Sequence, residues 1–326
     1  MHRSSRLDRI DGESGPRAGY APRLMWVELS LAAGVFQTVR NALARSLSGK
    51  VSPLLNSWSR FAFNLPFSTA LAAWLIHRGG APELPLPFFG FATATALSQL
   101  VGNVALVAAF RRANFAQSIV LHKLEIAFTA VIGVAFFDES PSLAGWLGIL
   151  TCTAGVLAMN LGRATGPKGW RRAFHLDAGS LLALACGILL VIASFMLKEA
   201  VAVYVAANPH VGQGRFEAAC HTLFHTTWIE VVVLSVTIGL VRPGEFRLVG
   251  RHWRRMAAIG FTGFCGSMGW FWAYSLTLVA YVKAVGQIEV VLSVVIALAI
   301  WREHEVWRQI PSVALVMAGI AVILLA

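Results

Sequence analysis

Two glutamates lie in the interior of long apolar segments. Glu125 is near the middle of segment 115–136, and Glu289 is near the middle of segment 279–300. An ionised side chain at the centre of a lipid-spanning segment costs on the order of 2.5–3.5 kcal/mol, so such residues usually bind, pair or carry protons. Both acids are therefore candidates for binding a polar solute or for carrying a proton. The alternative is a buried ion pair that only joins helices.

The segment of Glu125 carries a polar stripe at helical spacing. Its other members are Ser118, His122 and Thr129. Lys123 lies about 160° around the same helix from Glu125, so one continuous helix could not point both side chains into one narrow cavity. Pairing of Lys123 with an acid on another helix is the remaining option for its charge.

Further polar residues could border the same cavity. They are Lys283 and Gln287 beside Glu289, Gln37, Arg40 and Asn41 in the first apolar segment, Arg60 and Asn64 in the second, and Lys198 and Glu199 in the sixth. A guanidinium matches carboxylate geometry, so the set could hold an anionic or zwitterionic group. The alternative for Arg40, Arg45 and Lys198 is extension to the membrane interface. That alternative is favoured for Arg45 and Lys198, which lie near segment ends, while both interpretations remain open for Arg60.

The composition indicates which elements must position these residues. The chain has 326 residues, of which 57% are hydrophobic and 13% charged, against about 25% charged in soluble domains. A transmembrane helix needs ~20 apolar residues, and about ten such segments follow one another. They are 24–44, 53–76, 87–110, 115–136, 142–161, 177–205, 218–241, 255–277, 279–300 and 306–325. Lipid offers no water to backbone amides, so each must be helical. The fold class is therefore an all-α polytopic membrane protein, which excludes a soluble enzyme, a disordered chain and a disulfide scaffold.

Charge and cysteine usage limit the partners and cofactors. The net charge of +11 lies mostly in the gaps between apolar segments, as at Arg111 and Arg112. Cations placed there meet anionic lipid head groups, so we expect a lipid bilayer and no nucleic acid as partner. The four cysteines stand singly, without CxxC spacing, and are expected to be buried free thiols: Cys152, Cys186, Cys220 and Cys265. We expect no metal and no cofactor.

The two halves of the chain are similar in sequence. A shift of 164 positions aligns 93–140 with 257–304 without a gap, and places Glu125 on Glu289. The same shift places Glu139 on Glu303. An odd number of helices per copy makes the second copy enter the membrane from the opposite face, as in the inverted repeats of secondary transporters, whose sites lie between the copies. The predicted organisation is a polar and mobile tail at 1–23, a first five-helix repeat at 24–161, a linker at 162–176 and a second repeat at 177–326.

Two other patterns have competing interpretations. Glycines recur every third residue at Gly260, Gly263, Gly266 and Gly269, and such small residues let helices approach closely. The aromatic residues that follow either line a cavity for an apolar or aromatic solute, or form an interfacial belt or plain lipid contacts, and the second interpretation is favoured: Trp270, Phe271, Trp272 and Tyr274. Glu217, His221 and His225 share one helix face at a spacing that metal ligands can have, but the catalytic glutamate of HExxH is missing.

The paired helix-plus-acid segments resemble the drug/metabolite transporter superfamily, specifically its EamA-type ten-helix members. The resemblance rests on NFAQSIVLHKLEIAFTAVIGVAFFDESPSLAGWLGILTCTAGVLAMN at 114–160 and on VAYVKAVGQIEVVLSVVIALAIWREHEVWRQIPSVALVMAGIAVILL at 279–325. Glu139 and Glu303 occupy the positions where the family has an acid after the fourth and ninth helices. Glycines follow in the fifth and tenth helices at Gly148, Gly155 and Gly319. The resemblance implies a central cavity with the fifth and tenth helices at its side.

The resemblance and the site residues together imply a function. We expect a secondary active transporter, not an enzyme, that exports small metabolites such as amino acids by alternating access, with a proton as the possible coupling ion. It is expected in the cell inner membrane as a monomer or homodimer, with a small-molecule substrate. The alternatives are an intramembrane metal-dependent enzyme and a membrane scaffold without transport. Orientation stays open, because cytoplasmic termini would place basic groups such as 242–255 outside, against the positive-inside rule.

Overall fold

The structure is a computed structural model that describes residues 21–47, 49–112, 123–163, 178–209, 214–299, 307 and 309–326. Within these ranges the chain is built of α-helices, which confirms the all-α prediction. Most of the predicted tail (1–20), most of the linker, Ser118, His122 and Glu303 lie outside them, whereas residues 21–23 of the predicted tail are helical.

The described helices follow the predicted apolar segments closely. In the predicted first repeat they are α1 Ala21–Leu47, α2 Pro53–Ala62, α3 Leu65–Gly79, α4 Leu86–Arg112, α5 Glu125–Phe136 and α6 Leu143–Arg163. In the predicted second repeat they are α7 Ala178–Ala207, α8 Gly214–Val241, α9 Arg247–Leu276, α10 Val279–Val285, α11 Ile288–Ala299 and α12 Ile310–Leu325. A 3₁₀ turn, Pro243–Phe246, precedes α9.

Two segments that the sequence predicts as continuous are broken. The second segment divides into α2 and α3 at Phe63 and Asn64, because Pro66 has no amide hydrogen for the helical ladder. The ninth divides into α10 and α11 at Gly286. As a result, Glu289 lies in the first turn of α11, and Glu125 likewise begins α5. The positive end of a helix dipole favours an anion at both places.

Glycines bring α9 against α1 and α2. A Cβ added to Gly260 would meet the Phe63 carbonyl carbon at 2.5 Å, and one added to Gly269 would meet the Ala33 Cβ at 3.0 Å. This confirms close helix approach as the meaning of the every-third-residue pattern. The α9 helix is therefore held against the first half of the chain along much of its length.

The α6 and α12 helices form a second tight pair. A Cβ on Gly155 would lie 2.7 Å from the Val316 amide nitrogen, and one on Gly319 would lie 2.5 Å from that of Cys152. Backbone therefore packs directly on backbone, and Ile149 and Ile320 fill the space around the glycines. The fifth and tenth predicted segments thus pack on each other, away from most of the other helices.

The most extensive helix contacts join the two halves of the chain. These contacts are α1 with α9, α4 with α7 and α6 with α12. In addition, α4 packs on α8, and α9 packs on α2. The third predicted segment (α4) therefore contacts the sixth and seventh segments, and the eighth (α9) contacts the first and second. Each of these two sets becomes the other when the predicted halves are exchanged. Two copies related by a two-fold axis would produce this pattern.

The surface and the helix lengths suit a lipid environment. Three of the described helices are long and apolar enough to cross a membrane by themselves, namely α7, α8 and the stretch Leu86–Ala105 of α4. Large apolar side chains such as Val104, Leu147 and Val236 are exposed on the bundle. Shorter apolar helices accompany them, including α5 and α12.

Candidate functional site

A cavity of about 520 Å³ lies among helices from both halves of the chain. Its wall includes seven predicted site residues: Asn41, Arg60, Lys123, Glu125, Lys283, Gln287 and Glu289. Four other described residues that the sequence suggested for this cavity do not line it, namely Asn64, Thr129, Lys198 and Glu199. His122, the remaining predicted member, lies outside the described residues. The wall also includes Gln37, Arg40, Gln99, Asn103, Met159, Leu190, Ala193, Ser194, Leu197, Ser267, Trp270, Phe271, Tyr274, Gly286 and Val290.

The two acids of the cavity are paired crosswise between the halves. Lys123 Nζ lies 2.9 Å from Glu289 Oε1, and Lys283 Nζ lies 3.6 Å from Glu125 Oε2. Each glutamate therefore faces a lysine that the other half of the chain supplies. The Lys283 side chain is only 6% exposed, so little water screens its charge.

The position of Lys123 corrects the geometric expectation made from the sequence. Lys123 and Glu125 both line the cavity, although one continuous helix would direct them about 160° apart. The reason is that Leu124 forms a turn and α5 begins at Glu125, so regular helical spacing does not extend across this point. The pairing of Lys123 with an acid on another helix is confirmed.

Amide side chains extend the pair around Glu289. Gln37 in α1 donates a hydrogen bond from Nε2 to Glu289 Oε2. The Gln37 Oε1 accepts from Trp270 Nε1 at 3.0 Å, which fixes the orientation of the amide. Lys123 Nζ also donates to Gln287 Oε1 at 3.4 Å. This network ties α1 and α9 to the break between α10 and α11.

Two arginines converge at another part of the cavity. A Cβ added to Gly263 would lie 3.4 Å from Arg60 Cγ and 3.7 Å from Arg40 Cδ, so both stems pass the same point of α9. Arg40 donates to Asn41 Oδ1 from Nε and Nη2, at 3.3 and 3.0 Å. The Nε of Arg60 is buried and has no hydrogen-bond partner among the described residues.

Glu230 is a buried acid near this arginine pair that the sequence analysis did not single out. It lies in α8, is 3% exposed and interacts electrostatically with Arg60. Its Oε1 has no hydrogen-bond partner within the described part of the chain. The sequence does contain a signal for it, because Glu230 is a charged residue inside the apolar segment 218–241, just as Glu125 is inside segment 115–136.

The aromatic residues of α9 correct a second expectation. Trp270, Phe271 and Tyr274 line the cavity, so the favoured interfacial belt is wrong for these three. The Trp270 ring occupies the space that the missing side chain of Gly286 leaves, and its N–H finds Gln37 as acceptor. Trp272 instead packs against Phe216, with ring centroids 4.8 Å apart.

Lys198 also differs from the expectation that it extends to the membrane interface. Its Nζ binds Glu139 Oε1 and donates to the Thr277 carbonyl oxygen at 2.8 Å. Glu139 Oε2 in turn accepts from the Val279 amide at 2.8 Å, at the start of α10. Lys198 therefore pairs with the buried carboxylate of Glu139 instead of extending to the membrane interface. The contact joins the end of α5 to α7 and to the turn between α9 and α10.

The histidines of α8 take part in aromatic packing. His221 is buried and stacks on Tyr204 with centroids 5.4 Å apart. His225 Nδ1 lies 2.7 Å from the His221 carbonyl oxygen, and its ring meets Phe88 edge-on at 5.3 Å. The described residues hold no group of three side chains that could bind a metal ion. The four cysteines, all of which lie in the described part of the chain, form no disulfide bond, and all except the half-buried Cys265 are buried.

Comparison with known proteins places this arrangement among membrane proteins. The sequence model of the EamA-like transporter family matches residues 24–161. One crystal structure superposes on the chain with a TM-score of 0.62 at 19% sequence identity, over 93% of this chain and 96% of the other. That likeness supports the fold alone. No curated protein matches the chain in sequence.

Proposed function

From the premise that this chain belongs to the drug/metabolite transporter superfamily through its EamA-like unit at 24–161, we propose that it moves a small metabolite by alternating access. The family consists of integral membrane transporters. The proposed substrates are small metabolites such as amino acids, the proposed direction is export across the inner membrane, and a proton is the proposed coupling ion.

The crossed ion pairs carry the proposal. Lys123 with Glu289, and Lys283 with Glu125, join the predicted halves inside the cavity. If the halves rock against each other, these pairs must lengthen, because each has one member on either side. A proton on the glutamate would remove the attraction to the lysine and release the contact. Protonation of Glu125 or Glu289 would in this way be linked to the movement of the halves.

The test is transport by purified protein in proteoliposomes under an imposed pH gradient. The variants are Glu125→Gln and Glu289→Gln, with Glu28→Gln as matched control because Glu28 is exposed on α1. We expect flux of labelled metabolites with the wild type and Glu28→Gln, and a loss of at least about tenfold in the two cavity variants. Unchanged flux without pH dependence in both variants would contradict the role of the acids. A wild type that moves none of the metabolites would contradict transport itself.

A further inference from the structure

The cavity carries more positive than negative charge. Its wall contains Arg40, Arg60, Lys123 and Lys283 as cations, and two glutamates as anions. Each lysine already faces one of these glutamates. The arginines are therefore the cations for which the described wall offers no carboxylate at hydrogen-bond distance.

The surroundings of the arginines leave part of their charge unmatched. Arg40 hydrogen-bonds only to a neutral amide, that of Asn41, within the described residues. The carboxylate that interacts electrostatically with Arg40 is that of Glu289, which already binds Lys123. Arg60 interacts electrostatically with Glu230, yet its buried Nε has no partner in the described structure. A buried guanidinium nitrogen without a partner is costly unless a ligand satisfies it.

The two arginines also lie close enough to act on one group. Their side chains converge over Gly263, and Arg60 acts electrostatically on Arg40. Two like charges in a buried site repel each other, and an anion between them would turn this repulsion into attraction. A guanidinium can give two parallel hydrogen bonds to a carboxylate or a phosphate.

We propose that Arg40 and Arg60 form an anion subsite, and that the transported substrate is a small organic anion with a carboxylate or phosphate group. This inference rests on the proposed transport function and names its substrate class. Amides of Asn41, Gln99 and Asn103 line the same cavity and can bind further oxygens of the substrate.

The rest of the substrate would lie along α9. Ser267, Trp270 and Tyr274 line the cavity after Gly263 in sequence, and the eleven helical steps from Gly263 to Tyr274 extend for about 16 Å. Leu190 and Leu197 of α7 also line the cavity. A body with an apolar or aromatic surface therefore suits the wall beyond the arginines.

A zwitterion fits this cavity less well than an anion. The ammonium group of a zwitterion needs a carboxylate, and both glutamates of the wall are already paired with lysines. Displacing Lys283 would leave a lysine that is 6% exposed without its counter-ion, which is strongly unfavourable. Among the small metabolites proposed as substrates, including amino acids, those with net negative charge are therefore favoured.

The test is binding to the purified full-length protein in detergent, followed by thermal shift and titration calorimetry. The probes are benzoate, phenyl phosphate, zwitterionic phenylalanine and the phenyltrimethylammonium cation. We expect the benzoate or phenyl phosphate to stabilise the protein and the other two to bind at least tenfold more weakly. Tighter binding of benzoate would indicate a carboxylate group on the substrate, and tighter binding of phenyl phosphate would indicate a phosphate group. Equal or tighter binding of the zwitterion or the cation would overturn the inference.

Variants locate the binding to the two arginines. In Arg40→Gln and Arg60→Gln, anion affinity should fall at least tenfold, and Arg60→Lys should recover part of it. Arg254→Gln is the matched control, because Arg254 is exposed on α9. Affinity within twofold of the wild type in both glutamine variants would overturn the subsite.

A measurement on the unmodified protein covers the case in which a variant fails to fold. Phenylglyoxal modifies accessible arginines, and mass spectrometry reports each site. A bound anion should protect Arg40 and Arg60 at least threefold and leave Arg254 unchanged. Equal protection of all three, or of none, would count against the subsite. Anion binding without any flux would instead reject transport and leave the subsite standing, whereas flux confined to cations would do the reverse.

Discussion

Charged side chains in the cavity are tolerable because most of them have a nearby partner of opposite charge. Lys123 and Glu289 are each 14% exposed at the side chain and lie 2.9 Å apart. Removing one member of such a buried pair typically costs about 3–5 kcal/mol, because the other charge is left uncompensated. Arg60 differs, since its Nε and the Oε1 of its electrostatic partner Glu230 both lack a hydrogen-bond partner within the described structure. This difference separates the groups that hold the halves together from the groups that can receive a ligand.

Neutralising Glu230 should strengthen anion binding. When it is ionised, Glu230 acts on Arg60 in competition with any anion that enters the cavity, so Glu230→Gln removes a competing negative charge in titrations at a pH high enough to ionise this acid. At an effective dielectric constant of about 20 the gain should be roughly threefold to tenfold in affinity. Calorimetric titration with benzoate or phenyl phosphate measures it. Glu217→Gln, in the first turn of the same helix, is the control and should leave affinity unchanged. Weaker binding in Glu230→Gln would contradict the assignment.

The cost of charge in lipid was sufficient to select Glu125, Glu289 and Lys283 from the sequence. The same cost applies to Glu230, which lies inside the apolar segment 218–241. It could not have identified Gln99, because an uncharged amide is common in apolar helices and gives a weak signal. The crossed pairing was also beyond the sequence, since it depends on how the two halves dock.

At the scale of helices, the breaks determine where the acids lie. Pro66 is a direct sequence signal for the interruption between α2 and α3. Gly286 is a weaker signal, because a single glycine inside a helix is often tolerated. The segment 279–300 could therefore be recognised as apolar and helical, whereas its division into α10 and α11 required the packing of Trp270 on Gly286.

A side chain at Gly260 should destabilise the contact of α9 with the first half. Its Cβ would lie 2.5 Å from the Phe63 carbonyl carbon. Because this carbon belongs to the backbone, it cannot easily move to relieve the clash. Gly260→Ala should lower the free energy of unfolding by about 1–3 kcal/mol. Gly250→Ala is the matched control on α9, because nothing lies within 4 Å of the added Cβ. Thermal unfolding in detergent measures both. Equal melting temperatures for the two variants would contradict the close packing.

At the scale of the molecule, the halves depend on each other. The largest helix contacts, α1 with α9, α4 with α7 and α6 with α12, all cross between them. Within the described residues, hydrophobic patterning predicted the apolar helices, apart from the breaks in the second and ninth segments, because lipid imposes length and apolarity on every span. It gave no information on which helices touch, since helix association in lipid depends on close packing of small residues rather than on hydrophobicity.

The two halves should assemble only with each other. We expect 1–165 and 166–326, expressed as separate polypeptides in the same cell, to copurify through a tag on one of them. Each expressed alone should aggregate on extraction, because it would expose the surfaces that α9 and α1 normally cover. Size-exclusion chromatography and the melting temperature of the copurified pair measure this. A half that purifies alone as a stable, folded monomer would contradict the dependence.

The crossed pairing has a consequence for how related sequences can diverge. Lys123 and Glu289 are 166 positions apart in the chain, yet a change of charge at one is harmful until the other changes as well. A further substitution in the same half cannot compensate for the first, since the partner residue always lies in the other half. Compensated substitutions should therefore arise as long-range covariation. Exchanging one half for that of a distant homologue should fail where the incoming half differs at a lysine or glutamate of these pairs, unless the partner in the retained half is changed to match.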